Sequence, residues 1–178
     1  ADIARERGLS LDTQGFDHEM AEQRQRARAA SQFATQHSTD LAVQGQTEFS
    51  GYQQFEQPGT IIGLFHQNQS VDQLKPGDEG IIVLDKTPFY AESGGQVGDT
   101  GRLILRDNNN TEIGQFIVTD TRKQSDKQGA SVHLHIGEVQ HGIFHCNSVV
   151  TAQINLTKRC ATALNHSATH LLHAALRQ

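Results

Sequence analysis

The sequence predicts an α+β fold that is mainly β: a small antiparallel β-barrel flanked by an N-terminal helix and a truncated C-terminal helix. Two changes in hydrophobic period support this prediction. Apolar residues recur at helical spacing near both ends of the chain, whereas the centre alternates short β-type runs with turn signals. We therefore expect a linker helix in residues 1–40, a barrel in residues 41–156 and the start of a second helical unit in residues 157–178.

Composition limits the classes of function. The chain has 178 residues, enough for one good core and a small appendage, and its two cysteines do not suggest a disulfide scaffold. No apolar run is long enough to span a bilayer, so we expect a soluble cytoplasmic protein with no membrane partner. The net charge of −5 argues against a domain that binds nucleic acid by charge alone. RNA contacts are expected to be local, or to come from another part of the molecule.

The first predicted element is an amphipathic helix from Phe16 to about Ala34. Arg24, Arg26 and Arg28 spread around this helix instead of forming a narrow stripe. An ordinary solvated surface is therefore favoured over an RNA-binding patch. We expect the helix to connect domains rather than to catalyse a reaction.

The central segment contains six candidate strands, the number of a small antiparallel barrel or sandwich. Turn chemistry in residues 57–59, 75–78 and 107–110 punctuates them. The candidate strands are residues 60–65, 80–84, 102–105, 115–118, 132–136 and 149–154.

Residues 87–101 follow the most hydrophobic strand and place four glycines within eight residues. Glycine permits positive φ and close backbone approach, and Thr87, Glu92, Gln96 and Asp99 bring hydrogen-bonding groups to the same segment. One interpretation is a site that binds a small polar ligand. The alternative, slightly favoured by composition alone, is a glycine-rich hairpin with exposed polar residues.

The last predicted element is a helix from about Thr157 that carries three histidines on one face, His166, His170 and His173. Two imidazoles four residues apart can bind one zinc ion. A zinc site needs about four protein ligands when structural, or about three plus water when catalytic. His166 and His170 therefore resemble half of a metal site.

The opposite side of this helix is apolar and includes Leu164, Leu171 and Leu172. Cys160 is expected there as a small core residue. Because the chain begins at Ala1 and ends inside a helical pattern, we expect a piece of a longer protein. The apolar side should then lack its cover, leaving the helix displaced or poorly ordered.

Two stretches carry a specific resemblance. Residues 87–101, read as TPFYAESGGQVGDTG, and residues 166–177, read as HSATHLLHAALR, resemble the editing region of alanyl-tRNA synthetases and of free-standing deacylases. Residues 16–28 resemble the linker helix that joins the tRNA-recognition region of such synthetases to the editing domain, and residues 47–52 resemble the start of its barrel. The preceding helix favours a synthetase over a free-standing deacylase.

The resemblance implies an editing reaction, the hydrolysis of Ser-tRNA(Ala) and Gly-tRNA(Ala). A pocket for alanine rejects a missing methylene or an added hydroxyl by only about 10- to 200-fold, so a second, hydrolytic site is needed. The implied partners are the acceptor end of tRNA(Ala) and the remaining domains of the same synthetase. ATP and magnesium are implied only for the missing aminoacylation domain.

The resemblance also assigns residues. His166 and His170 match the first pair of zinc ligands, and the second pair, CxxxH, is absent from this sequence. Thr87 matches a threonine that senses the substrate hydroxyl, and Gln96 matches a glutamine that lines the editing pocket. Gln96 and Glu92 are the catalytic candidates, although Glu92 could merely solubilise its loop. Zinc would either activate water or position the terminal adenosine of the tRNA, and the fragment alone is expected to be inactive.

Two other classes of function remain open. A generic zinc hydrolase has weak support, because Ser167 and Ala168 follow His166 where an HExxH motif would need a glutamate. A non-catalytic barrel that positions RNA or a partner domain is the other alternative.

Overall fold

The computed structural model describes residues 15, 19, 20, 22, 41, 43, 45–93, 96–125 and 130–176. The chain divides into two units, Ala1–Thr39 and Asp40–Gln178. The four described residues of the first unit, Gly15, Glu19, Met20 and Glu22, are helical. The rest of the predicted helix from Phe16 to Ala34 lies outside the described residues.

The described part of the second unit forms a closed antiparallel barrel of six long strands, followed by a helix. Short strands flank the barrel strands in sequence. In chain order the strands are β1 (Glu48–Phe49), β2 (Glu56–His66), β3 (Gln69–Ser70), β4 (Gln73–Leu74), β5 (Glu79–Leu84), β6 (Lys86–Thr87), β7 (Gly101–Arg106), β8 (Glu112–Ser125), β9 (Ser131–His141), β10 (Phe144–His145) and β11 (Val149–Ile154).

The barrel closes because β11 pairs with both β7 and β2. The remaining neighbours are β7 with β8, β8 with β9, β9 with β5 and β5 with β2, all antiparallel. Strands β1 and β6 form a separate parallel pair. The predicted mainly β fold with a small antiparallel barrel is confirmed, and each of the six candidate strands lies within one long strand.

One of the predicted turns is wrong. Residues 57–59 belong to β2, where Pro58 pairs with Thr151 and Gly59 pairs with Val150. A Cβ added at Gly59 would lie 2.5 Å from the carbonyl oxygen of Lys86. The glycine therefore permits close packing of a neighbouring segment instead of a turn. The turns at residues 75–78 and 107–110 are confirmed by backbone hydrogen bonds from Asp78 to Lys75 and from Asn110 to Asp107.

Apolar residues fill the interior of the barrel, because alternate side chains of each strand point to the same face. Ile82, Leu103, Phe116 and Val150 are among the side chains of this core and are almost completely buried. A second buried cluster uses the opposite face of β5 and β9. It consists of Leu41, Phe65, Ile81, Val83, Val132 and Leu134.

Helix α1 (Leu156–Ala175) follows the last barrel strand. The Asn155 side chain caps it by accepting a hydrogen bond from the backbone N–H of Lys158. Leu164, Leu171 and Leu172 expose 71, 72 and 61 % of their surface, as expected for an apolar side without cover. The expected displacement or disorder of this helix stays a prediction, although α1 is continuous and Arg159 in its first turn contacts the barrel.

The prediction that Cys160 is a core residue is wrong, because Cys160 is exposed and no described residue of α1 is buried. Helical periodicity put Cys160 on the apolar side correctly, but nothing among the described residues covers that side. Within the described chain, no helix is both long and apolar enough to cross a membrane.

Candidate functional site

Arg159 attaches α1 to the barrel. Its Nε donates to both carboxylate oxygens of Asp99, at 2.8 and 3.0 Å, and its Nη2 contacts the same carboxylate. The remaining guanidinium donors reach the carbonyl oxygens of Gly51 at 2.9 Å and Pro88 at 3.0 Å. One half-buried side chain thus joins the helix, the entry to the barrel and the 87–101 segment.

Asp99 is a structural residue in this arrangement. It is 8 % exposed, and its carboxylate also accepts a hydrogen bond from the backbone N–H of Tyr90 at 2.8 Å. The Thr121 hydroxyl donates to the Asp99 carbonyl oxygen at 2.8 Å. Because these bonds occupy its carboxylate, Asp99 holds the segment in shape beneath the helix.

Docking the helix creates a cleft that contains Gln96 and the histidine pair. Its volume is about 440 Å³. Gln96 is half-buried, and its backbone exchanges hydrogen bonds with Ser93, as in the hairpin alternative. The residues that line the cleft are Gln96, Val97, Thr162, Asn165, His166, Thr169 and His170. Residues about 70 positions apart in sequence, Gln96 and His166, therefore line one cleft.

The histidine pair has a spacing that suits a shared metal ion. The two Nε2 atoms of His166 and His170 lie 3.0 Å apart. Two nitrogens bound to one tetrahedral zinc at 2.0–2.1 Å would be separated by about 3.3 Å. These two side chains therefore fit half of a zinc site. Among the described residues, no group of three or more His, Cys, Asp or Glu side chains could hold a metal.

The structure places Thr87 away from this group. Thr87 lies in β6 and is completely buried, and the lining of the cleft does not include it. Its hydroxyl lies 2.8 Å from Nε2 of His135 and accepts a hydrogen bond from the backbone N–H of Phe89 at 3.2 Å. Direct contact with a substrate hydroxyl would require these groups to rearrange.

His135 is a buried residue that the sequence interpretation missed. Its Nδ1 lies 2.9 Å from the carbonyl oxygen of Ile82, so Nδ1 carries the proton and Nε2 accepts from Thr87. Burial lowers the pKa of His135 from 6.5 to about 3. The alternating run Val132-His-Leu-His-Ile136 places both histidines on one face of the strand, but its apolar residues indicate that the other face is buried, so the sequence offered no signal for these histidines as interior groups.

His133 supports the same segment. Its Nδ1 donates to the carbonyl oxygen of Phe89 at 2.9 Å, and its ring packs against Phe49 with centroids 5.5 Å apart. Burial lowers the pKa of His133, which remains a neutral donor. Together His133 and His135 brace residues 87–89 from inside the barrel.

Glu92 is exposed and does not line the cleft. Its backbone N–H donates to the carbonyl oxygen of Thr121 at 2.8 Å. This bond fixes the backbone at Glu92, whereas its carboxylate lies in solvent. Of the predicted site residues, the structure brings together Gln96, His166 and His170, and it leaves Thr87 and Glu92 outside.

Thr87→Val should destabilise the fold by about 1–3 kcal/mol, because the buried Nε2 of His135 would lose its donor. Thr87→Ser is the matched control: it keeps the hydroxyl and should cost about 1 kcal/mol or less. Urea unfolding at neutral pH measures both. Equal stabilities of the two variants would show that the hydrogen bond contributes nothing.

Comparison of the sequence with known protein families identifies the class of protein. A family model described as "tRNA synthetases class II (A)" matches residues 1–158. Similar relatives are the alanine–tRNA ligases of Halorhodospira halophila, 48 % identical over 178 residues, and Nitrosococcus oceani, 49 % identical over 181 residues. The enzyme of that name from Methylococcus capsulatus is 47 % identical over 178 residues.

The chain belongs to the class II tRNA synthetases and, within them, is part of an alanine–tRNA ligase. Each of the three alignments covers 100 % of this chain, but only 19, 20 and 19 % of the respective relative. The chain therefore spans about a fifth of the length of these curated relatives. The resemblance to this family is confirmed.

Proposed function

We propose that this chain contributes the barrel and the first zinc ligands of an editing site that hydrolyses Ser-tRNA(Ala) and Gly-tRNA(Ala). The main support for this proposal is that Gln96, His166 and His170 line the same cleft. The whole cytoplasmic enzyme would join alanine to tRNA(Ala) with ATP and magnesium bound in another domain. Editing would remove wrongly attached amino acids that the aminoacylation pocket cannot reject.

The lining of the cleft suits a small polar aminoacyl group. Gln96 and Asn165 each offer a carbonyl oxygen and an NH₂ group, so each can accept and donate hydrogen bonds. The Thr169 hydroxyl bonds back to the Asn165 carbonyl oxygen at 3.0 Å. We infer that Gln96 holds the aminoacyl group from the barrel side while the helix provides the opposite wall.

His166 and His170 would hold zinc through their Nε2 atoms, as neutral imidazoles. When bound, zinc supplies a positive charge that either acidifies a water molecule or fixes an oxygen of the terminal adenosine. Two ligands are too few for a stable site, so the other ligands would come from other parts of the ligase. On this proposal the 178-residue chain alone is inactive.

Glu92 is the weaker catalytic candidate, because its exposed side chain lies outside the lining of the cleft. A base must come within hydrogen-bonding reach of the proton that it removes. We therefore propose that the reaction relies on Gln96 and the histidine pair and that Glu92 is dispensable.

The test uses an alanine–tRNA ligase that contains this segment, with preformed Ser-tRNA(Ala) as substrate. Gln96→Ala and His166→Ala should each slow hydrolysis by more than about tenfold, since loss even of supporting groups in a metal site costs about 10- to 100-fold. His145→Ala, which removes an exposed histidine outside the cleft, should leave the rate unchanged. Charging with alanine serves as the folding control.

Hydrolysis at the parent rate by both Gln96→Ala and His166→Ala would contradict the proposed site. The same assay on the 178-residue chain should show no hydrolysis. Parent-level activity there would contradict the proposal that further zinc ligands are required.

A further inference from the structure

The cleft that contains the histidine pair continues along α1 through two neighbouring clefts. The next one, also about 440 Å³, shares Val97, Thr162 and Asn165 with the first. A third, of about 480 Å³, shares Thr100, Thr119 and Lys158 with the second and ends at Arg102 and Gln153. We name this continuous depression, from His170 to Arg102, the helix groove.

The acidic residues of the helix groove are neutralised. Asp99 is paired with Arg159, and the Asp120 carboxylate accepts from Arg122 Nε at 2.8 Å. No other carboxylate lines the three clefts. The acidic residues therefore leave little negative charge to repel an anion.

Two cations of the helix groove remain available. Arg102 donates from Nε to the neutral amide oxygen of Gln153 at 2.6 Å, and Lys158 is exposed. In the described part of the chain, neither forms an ion pair with a carboxylate. The first turn of α1, beside Lys158, contains no acidic residue. The end of the groove away from the histidine pair therefore presents two cations, with one carboxylate nearby: Glu56 accepts from the Gln153 amide at 2.8 Å.

We propose that the helix groove binds the phosphates of a single-stranded RNA end and leads its terminal nucleotide to the histidine pair, with Lys158 and Arg102 as the phosphate contacts. This inference rests on the proposed function and adds a path for the substrate. Eight residues of helix separate Lys158 from His166, about 12 Å at 1.5 Å per residue. That distance corresponds to roughly three or four stacked nucleotides, since one strand places a phosphate about every 3.4 Å.

The contacts of the helix groove should give weak, salt-dependent binding. Each neutralised phosphate of a single strand contributes about 0.7 to the slope of log affinity against log salt. Exposed lysine and arginine side chains contribute modestly at physiological salt. We therefore expect Lys158 and Arg102 to act mainly on substrate binding rather than on the chemical step.

The binding test uses the 178-residue chain and a fluorescein-labelled 12-nucleotide single-stranded RNA that ends in CCA, titrated over a series of salt concentrations. Lys158→Gln and Arg102→Gln should each weaken binding by about three- to fivefold at low salt and reduce the salt slope by about 0.7. Lys75→Gln, on an exposed turn outside the groove, makes the same change in net charge and is the matched control. Equal effects of all three substitutions, or no effect at Lys158 and Arg102, would overturn the proposal.

A second measurement separates this inference from the proposed function. In the alanine–tRNA ligase, Lys158→Gln should raise the KM for Ser-tRNA(Ala) hydrolysis about threefold or more with kcat unchanged, whereas His166→Ala should lower kcat. If His166→Ala loses activity while Lys158→Gln keeps the parent KM, the groove proposal fails and the editing site stands. If RNA binding depends on Lys158 and Arg102 but His166→Ala hydrolyses at the parent rate, the groove stands and the editing assignment fails.

Discussion

Arg159→Met is expected to destabilise the second unit by about 3–5 kcal/mol, a loss of roughly a hundredfold or more in the folding equilibrium. The substitution keeps most of the side-chain volume but leaves the Asp99 carboxylate buried without its cation. It also removes the donors that reach the carbonyl oxygens of Gly51 and Pro88. Urea unfolding followed by circular dichroism measures the change.

The control for this prediction is Arg106→Met, because Arg106 is exposed and, among the described residues, its side chain donates to the Asn110 carbonyl oxygen at 3.1 Å. Arg106→Met should change the free energy of unfolding by no more than about 0.5 kcal/mol. Adding Asp99→Asn to Arg159→Met should recover part of the loss, since the buried negative charge disappears with its partner. An Arg159→Met protein as stable as Arg106→Met would show that this ion pair does not hold the helix.

Acid should weaken the fold through His135 by about 1.4 kcal/mol for each pH unit below 6.5. The folded protein keeps His135 neutral, with a pKa of about 3, whereas the unfolded chain binds a proton near 6.5. The unfolded state therefore takes up more protons between these values, and stability falls as the pH drops through this window. Unfolding free energies at pH 7.5, 6.5 and 5.5 measure the loss.

His135→Asn isolates this contribution. The amide can still donate to the Ile82 carbonyl oxygen, but it has no titrating group. The variant should be less stable than the parent at pH 7.5, and its stability should fall less between pH 6.5 and 5.5. If parent and variant lose equal stability over that interval, another group causes the acid sensitivity.

The strands of the barrel could be predicted from the sequence because most of them alternate between a buried and a more exposed face, whereas β5 and β9 bury both faces over part of their length. Residues 132–136 show the limit of this method. The run was recognised as a strand, but its two histidines were not recognised as interior residues. Their burial depends on hydrogen bonds to Ile82, Thr87 and Phe89 from neighbouring segments. Local patterning carries no information on such partners.

The site was predicted in part for a similar reason. Helical spacing placed His166 and His170 side by side, and the structure confirms that proximity. The motif around residues 87–101 suggested that Thr87, Glu92 and Gln96 act together, yet only Gln96 lines the cleft. The contact between Arg159 and Asp99, which attaches the helix beside the cleft, joins residues 60 positions apart and could not be predicted from the sequence.

Arg159 attaches α1 near its N-terminus, so the histidine pair lies some distance along the helix from the point of attachment. Its anchor lies 7 residues before His166 and 11 before His170, about 10 and 16 Å along the helix axis. A tilt of about 5° at the anchor would therefore move the imidazoles by roughly 1 Å, a displacement that can cost about a hundredfold in rate when catalytic groups are misplaced. The positions of the two imidazoles relative to the barrel thus depend on a salt bridge two to three helical turns away.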